Sequence, residues 1–316
     1  MLHAASKAFF HLLAQNGVLK KLASRYGMRR PSSFARRFIA GETIEEAIEA
    51  ARAIQARGMT LTLDLLGESV TDLERADAAT RDYIAVLRAV EQSGIERNIS
   101  LKLTQLGLDV DKASAIDNLR KILERAEPDG FFVRIDMESS AYTDVTLEIF
   151  ETLWHHGSHG IGVVLQSALM RSEQDLARMN ALGARVRLVK GAYQEPKTVA
   201  YAQKADVDAA YARMLKTLLT AGNYPAIATH DEVMIDLAKQ YAHEHGVASD
   251  RFEFQMLYGI RRDLQEALVR EGFRMRVYVP FGTQWYPYLM RRLAERPANV
   301  AFITGSVMRE LVSRKR

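Results

Sequence analysis

Thr60-Leu61-Thr62-Leu63-Asp64-Leu65-Leu66-Gly67 reads as a β-strand, rich in β-branched and aliphatic residues and ended by glycine. Helical signals flank it on both sides. Upstream, Thr43-Ile44-Glu45-Glu46 has the capping-box pattern: Thr43 can accept from an exposed amide, Glu46 can reach back, and Gly58 supplies the stop. Downstream, Thr71-Asp72-Leu73-Glu74 opens a second helix in the same way, and Gly94 closes it.

The unit recurs to the end of the chain. Seven further strands are predicted over residues 98–106, 131–137, 161–167, 185–190, 226–229, 252–257 and 275–279, each followed by a helical stretch, several of them closed by Gly183, Gly222, Gly246 or Gly272. Continuous or near-continuous apolar strands separated by helices imply a parallel sheet covered on its outer face. Eight such units in succession is the count of a closed (β/α)8 barrel. A doubly wound open sheet would want a glycine-rich phosphate loop after an early strand, and neither G-x-G-x-x-G nor G-x-x-x-x-G-K-[ST] occurs. The expected fold is therefore α/β, a TIM-like barrel over residues 43–316 behind a helical extension at 1–42.

Composition narrows the function classes. The 316 residues are 48% hydrophobic and 26% charged, with no cysteine, so disulfides, thiolate metal sites and cysteine nucleophiles are excluded. The formal charge of +4 is spread through the helices apart from the terminal Ser313-Arg314-Lys315-Arg316, which argues against a nucleic-acid partner. No apolar run reaches the roughly 18 residues that span a bilayer. Residues 1–27 place Phe9, Phe10, Leu12, Leu13, Leu19 and Leu22 among lysines, without a cleavage site for secretion. They read as an amphipathic helix that packs on the barrel or on a second subunit, ahead of attachment to a membrane surface.

A barrel builds its active site at the C-terminal ends of its strands. There the chain offers Asp64 and Glu68, then Lys102, Arg134, Asp136, Gln166, Arg185, Arg187, Lys190, Thr229, His230, Gln255 and Tyr278. Ionisable groups inside a parallel strand are costly unless paired, so a polar ligand with several functional groups is expected. Tyr288, Arg291, Arg292 and Glu295 share one face of the last helix, where the two guanidiniums form either a carboxylate clamp or a solvated stripe. Lys102 and Lys190 suit a Schiff base or an ion pair. No metal site is expected: His230 has no second histidine at ligand spacing, and no H-E-x-x-H occurs.

Leu63-Asp64-Leu65-Leu66-Gly67-Glu68, Ser100-Leu101-Lys102-Leu103-Thr104, Ile135-Asp136-Met137-Glu138, Arg187-Leu188-Val189-Lys190-Gly191-Ala192-Tyr193, Ala228-Thr229-His230-Asp231, Phe252-Glu253-Phe254-Gln255-Met256-Leu257 and Tyr288-Leu289-Met290-Arg291-Arg292-Leu293-Ala294-Glu295 follow one another in this order. Over residues 34–302 this set resembles the bacterial monofunctional proline dehydrogenases. The resemblance implies a distorted (β/α)8 barrel with a final active-site helix over its mouth, non-covalent FAD, and oxidation of L-proline to pyrroline-5-carboxylate. It implies hydride transfer from proline C5 to flavin N5, and electrons passed to a quinone.

Carried over by position, the resemblance gives the substrate carboxylate to Lys102, Arg291 and Arg292, and the pocket walls to Tyr278 and Leu257. Asp136 lies near the proline nitrogen, and Arg187 stands by the flavin N5 and N1 edge; these two are the expected catalytic pair. Glu68 is the expected gate, pairing with Arg291. The FAD contacts implied are Met137, Gln166, Arg187, Val189, Lys190, Gly191, Ala192, Thr229, His230, Gln255 and Glu295. Further expectations are handover of product to a separate pyrroline-5-carboxylate dehydrogenase, a cytoplasmic location with peripheral contact at the inner face of the membrane, and a homo-oligomer. A Schiff-base lyase and a non-catalytic amino-acid-binding barrel are the competing readings.

Overall fold

In the computed structural model, residues 34–67 and 69–294 are described. Eight strands close into a parallel barrel in sequence order: β1 (Thr60–Leu65), β2 (Asn98–Leu101), β3 (Phe132–Ile135), β4 (Ile161–Gln166), β5 (Arg185–Val189), β6 (Ala226–Ala228), β7 (Glu253–Leu257) and β8 (Met275–Phe281). β8 returns to β1 with Thr62 opposite Tyr278 and Asp64 opposite Pro280. The outer helices are α1 (Ile44–Gln55), which precedes β1, and, between successive strands, α2 (Leu73–Ser93), α3 (Lys112–Ala126), α4 (Thr143–His155), α5 (Ser172–Ala181), α6 (Lys204–Ala221), α7 (Glu232–Glu244) and α8 (Arg262–Arg270). The last helix, α9, spans Trp285–Ala294.

The helix starts follow the side chains that can accept from exposed amides. Thr43 Oγ1 accepts from Glu46 N at 3.4 Å, while the Glu46 carboxylate reaches back to Glu42 N at 2.7 Å. At α2 the cap is Asp72, which accepts from Arg75 N at 2.9 Å, rather than Thr71. A carboxylate accepts more strongly than a hydroxyl, so the helix begins one residue later than the capping-box spacing suggests. Strand β2 is shorter than its pattern: after Leu101 the chain turns into a 3-10 turn over Thr104–Leu106.

The strands are not the continuous apolar runs expected of a parallel sheet. They alternate. Leu61, Leu63, Ile99, Val133, Ile135, Val163, Leu165, Val186, Leu188, Ile227, Phe254, Val277 and Val279 are buried in the main core. Their neighbours Thr62, Ser100, Arg134, Arg187, Glu253, Gln255 and Arg276 are equally buried and bond to one another or to backbone. A two-residue period with the polar set on the axis means that the barrel is filled by a hydrogen-bonded ionic network instead of aliphatic layers. Arg134 and Arg185 correct the expectation for the mouth. Arg134 donates to Arg185 O at 2.6 Å, beneath the site, and Gly162 is needed beside it, because a Cβ there would lie 2.7 Å from the Arg134 guanidinium.

Helix α9 belongs to a second core. Trp285, Tyr286, Tyr288, Leu289 and Met290 pack on Ala35, Phe38, Ile39 and Leu66, and Trp285 Nε1 donates to Glu42 at 2.8 Å. Ala40 N donates to Pro280 O and Gly282 N to Gly41 O, so residues 34–42 run beside the helix and hold it at the barrel end. Gly259, at φ 75°, seats the loop after β7 against this segment; a Cβ there would overlap the Arg37 carbonyl oxygen. Gly259→Ala is expected to lower stability by roughly 2–4 kcal/mol, combining backbone strain with a backbone clash. An unshifted thermal midpoint would show that residues 34–40 are not held there.

Candidate active site

At the C-terminal end of the barrel lies a cavity of about 680 Å³, in the upper part of the range for small-molecule sites of about 300–1,000 Å³. Its substrate-sized end is ionic. Asp136, just past β3, accepts from Arg187 Nη1 at 2.7 Å on one carboxylate oxygen and from the Tyr278 hydroxyl at 2.8 Å on the other. Lys102 Nζ stands 3.8 Å from Asp136 and 3.4 Å from Asp64. Arg187 also donates to Gln255 Oε1 at 2.7 Å and to Ser100 Oγ at 3.1 Å, and its guanidinium lies 5.2 Å from the Tyr278 ring centre. Six strands, β1, β2, β3, β5, β7 and β8, thus place one interlocked group of side chains.

The electrostatics follow from burial. Asp64 is fully buried, and desolvation pushes its carboxyl above the usual carboxylate range; Lys102 offsets part of the effect and Asp136 adds to it. Burial, followed by the charges of Asp136 and Asp64, holds the Tyr278 phenol well above its ordinary value. Tyr278 is therefore a firm hydrogen-bond donor to Asp136 at any working pH.

The other end of the cavity is longer and mixed. Met137, Val164, Val189, Ala228 and Met256 supply apolar wall, and Gln166, Thr229 and His230 supply polar groups. Gln166 Nε2 donates to Glu138 O at 2.8 Å, which leaves its carbonyl oxygen beside Gly191. His230 Nε2 accepts from Leu257 N at 3.0 Å, tying β6 to β7. Lys190 is bridged between Asp208 at 2.5 Å and Asp231 at 2.6 Å, so it stands as an ion-pairing lysine. Burial works against both carboxylates, yet the bonds from Lys190 hold them below the ordinary aspartate range. Gly191 has φ 113°, a conformation that side chains rarely adopt, and a Cβ there would press on Gln166 and Ala168.

Lys102, Asp136, Met137, Gln166, Arg187, Val189, Lys190, Gly191, Ala192, Thr229, His230, Gln255, Leu257, Tyr278, Arg291 and Arg292, each singled out from sequence, all line this one cavity. Arg291 and Arg292 reach it from α9, as does Tyr288. Glu68 and Glu295, the expected gate and a cofactor contact, lie outside the described residues, as does the amphipathic segment 1–27. Among the described residues, no cluster of histidine and acidic side chains has the grouping of a metal site. No helix among them is long and apolar enough to cross a membrane.

Sequence reasoning gave Asp64 no role beyond a place at a strand end. It also missed Ser100, which braces Arg187, and the pair Thr104–Glu138, joined at 2.6 Å behind Gln166. The signal for Ser100 was a small hydroxyl residue set between the apolar Ile99 and Leu101, two residues ahead of Lys102.

Comparison with known proteins gives the family. The family model described as Proline dehydrogenase matches residues 47–305. Proline dehydrogenase 2 of Bacillus subtilis is 43% identical over 94% of this chain and 97% of its own length. Proline dehydrogenase of Deinococcus radiodurans is 45% identical over 88% of this chain and 91% of its own. Among solved structures, proline utilization A from Bdellovibrio bacteriovorus, inactivated by N-propargylglycine, superposes with a TM-score of 0.77 at 29% identity, covering 82% of this chain and 32% of that one. With a family model over most of its length and full-length relatives above 40% identity, this chain belongs to the proline dehydrogenase family.

Proposed function

We propose that this chain oxidises L-proline to pyrroline-5-carboxylate with a non-covalent FAD in the long end of the cavity, and that Asp136 and Arg187 are its catalytic pair. One observation carries the reading: Asp136, Arg187, Tyr278 and Lys102 form a bonded group at the ionic end of a cavity whose other end is apolar with a polar edge. The residues present fit a flavin. The apolar wall suits a tricyclic ring, Gly191 and Ala192 let backbone come close, and Gln166, Thr229, His230 and Gln255 offer hydrogen bonds along one side. Bound FAD would accept at N5 the hydride leaving proline C5.

The chain's own residues do the remaining work. Lys102, Arg291 and Arg292 bind the proline carboxylate, which orients the ring. Tyr278 and Leu257 wall the ring, with Tyr278 also fixing the second oxygen of Asp136. As the C–N bond becomes C=N, the ring nitrogen supplies its lone pair, so the ammonium proton must already have left. Asp136 is the proposed acceptor of that proton, with Lys102 and the buried Asp64 beside it. The Arg187 guanidinium, held on three sides, would stabilise negative charge on the cofactor when it is reduced. Glu68 is the proposed gate and pairs with Arg291, and Glu295 is a proposed cofactor contact.

A quinone then takes the electrons. Support comes from the opening, where Tyr193 and the largely exposed Val233 present apolar surface to an arriving acceptor. Residues 1–27 are proposed to mediate self-association or contact with the inner face of the cytoplasmic membrane, and the product passes to a separate dehydrogenase. The test is the visible spectrum of the purified protein. A yellow protein that bleaches on anaerobic addition of L-proline is the expected result; a colourless protein, inert after FAD is added, overturns the reading.

A further inference from the structure

We propose that Glu253, at the closed end of the barrel, is a positioning residue that sets Arg187 through the amide of Gln255. The inference rests on the role given above to Arg187. Arg187 bonds to Asp136, Ser100 and Gln255, and the first two are a fixed acceptor and a freely rotating hydroxyl. Gln255 is different, because its side chain has a donor end and an acceptor end of nearly the same shape. Turned the wrong way, it would set an NH2 group against the Arg187 Nε–H.

Glu253 removes that choice. Its Oε1 stands 2.5 Å from Gln255 Nε2, and a carboxylate can only accept. The amide must therefore turn its nitrogen down to Glu253 and its oxygen up to Arg187 Nε. The carboxylate stays ionised because Arg276 grips it from Nε at 2.7 Å and Nη2 at 3.0 Å, with the Tyr224 hydroxyl donating at 3.2 Å. Burial opposes the charge, but the neighbouring Arg276 holds the acid below the ordinary glutamate range. Arg276 is itself anchored to Glu96 at 2.6 Å, on the far rim of the barrel. A chain of polarised bonds thus runs from Arg276 through Glu253 and Gln255 to Arg187 and Asp136, with Glu96 only an outer anchor of Arg276. Each partner of Glu253 is a donor, so no neutral isostere satisfies this position: a glutamine there must aim its own hydrogens at another donor.

The experiment is a cycle of Glu253→Gln, Arg187→Met and the double variant, with Glu96→Gln as the control that loosens Arg276 without touching Gln255. Glu253→Gln should lower kcat about tenfold, with KM for proline within about twofold, a coupling in the range seen for residues sharing one network. The reduction potential of the bound flavin should shift to a more negative value, because Arg187 no longer sits where reduced charge develops. In the Arg187→Met background the same substitution should cost nothing further in kcat. Glu96→Gln should lower the melting temperature and leave kcat unchanged. If Glu253→Gln does not fold, Glu253→Asp keeps a carboxylate for Arg276 while withdrawing it from Gln255, and the same fall in kcat is expected. An unchanged kcat and potential, an equal loss in both backgrounds, or an equal loss from Glu96→Gln would each overturn the proposal. A normal kcat in Arg187→Met alone would instead retire the role of Arg187, and is read separately.

Discussion

Methionine at Arg291 or at Arg292 is expected to raise KM for proline by about two orders of magnitude, leaving the cofactor bound and helix α9 in place. Each guanidinium lines the cavity, and each can make paired, charge-assisted bonds to the substrate carboxylate. Removing one partner of a desolvated charge pair costs roughly 2–5 kcal/mol of binding, and about 2.7 kcal/mol is already a hundredfold. Methionine keeps the long apolar stem and the helix propensity of arginine, so the change removes charge and bonding rather than packing. Part of the Arg292 effect is local, because its guanidinium also lies 5.4 Å from the Tyr288 ring centre.

Pyrrolidine supplies the internal control. It carries the same ring and nitrogen without the carboxylate, so the variants should oxidise it as the parent does. The preference for proline over pyrrolidine should therefore collapse in kcat/KM. If both variants keep their proline kinetics, α9 does not hold the carboxylate, and the two arginines are surface charges.

The barrel was legible in the chain because its two signals are independent. Glycine marks helix ends, as Gly58 and Gly94 show, while the aliphatic outer residues of each strand mark the sheet. The interior was harder to read. Thr62, Ser100, Arg134 and Arg276 look out of place in a buried strand until their partners are known, and those partners sit on other strands dozens to hundreds of residues away. Pairing across a closed barrel depends on register, which a single strand does not encode.

The site divides along the same line. Spacing alone leaves Arg291 and Arg292 open between a carboxylate clamp and a solvated stripe, and only the family resemblance points to the clamp; the structure brings both to the cavity. Glu253 is not legible as a functional residue. One glutamate in a strand reads as an ion-pair partner, and its connection to Arg187 exists only through the amide of Gln255. Residues that touch a ligand leave a mark in local sequence by their chemistry; residues that orient those contacts mark only the fold.

Asp136 is where the strongest effect on turnover is expected, and two substitutions separate its tasks. Asp136→Ala leaves the buried Arg187 without its carboxylate and the Tyr278 hydroxyl without its acceptor, a loss of roughly 3–5 kcal/mol of stability for a broken buried pair. Asp136→Asn can keep the geometry. Its carbonyl oxygen can face Arg187 Nη1, and its amide can donate to a Tyr278 hydroxyl turned to accept. The asparagine variant should therefore melt near the parent temperature while kcat falls about 10²–10⁴-fold, the range for loss of a positioned proton acceptor. The fall should be smallest at high pH, where proline already arrives with a neutral nitrogen and no acceptor is needed. The measurement is kcat against pH for parent and asparagine variant, alongside their melting temperatures. A stable asparagine variant with near-parent kcat at neutral pH would reduce Asp136 to a scaffold for Arg187 and Tyr278; a loss that does not recover with pH would place its effect in the charge it sets beside Arg187 rather than in proton transfer.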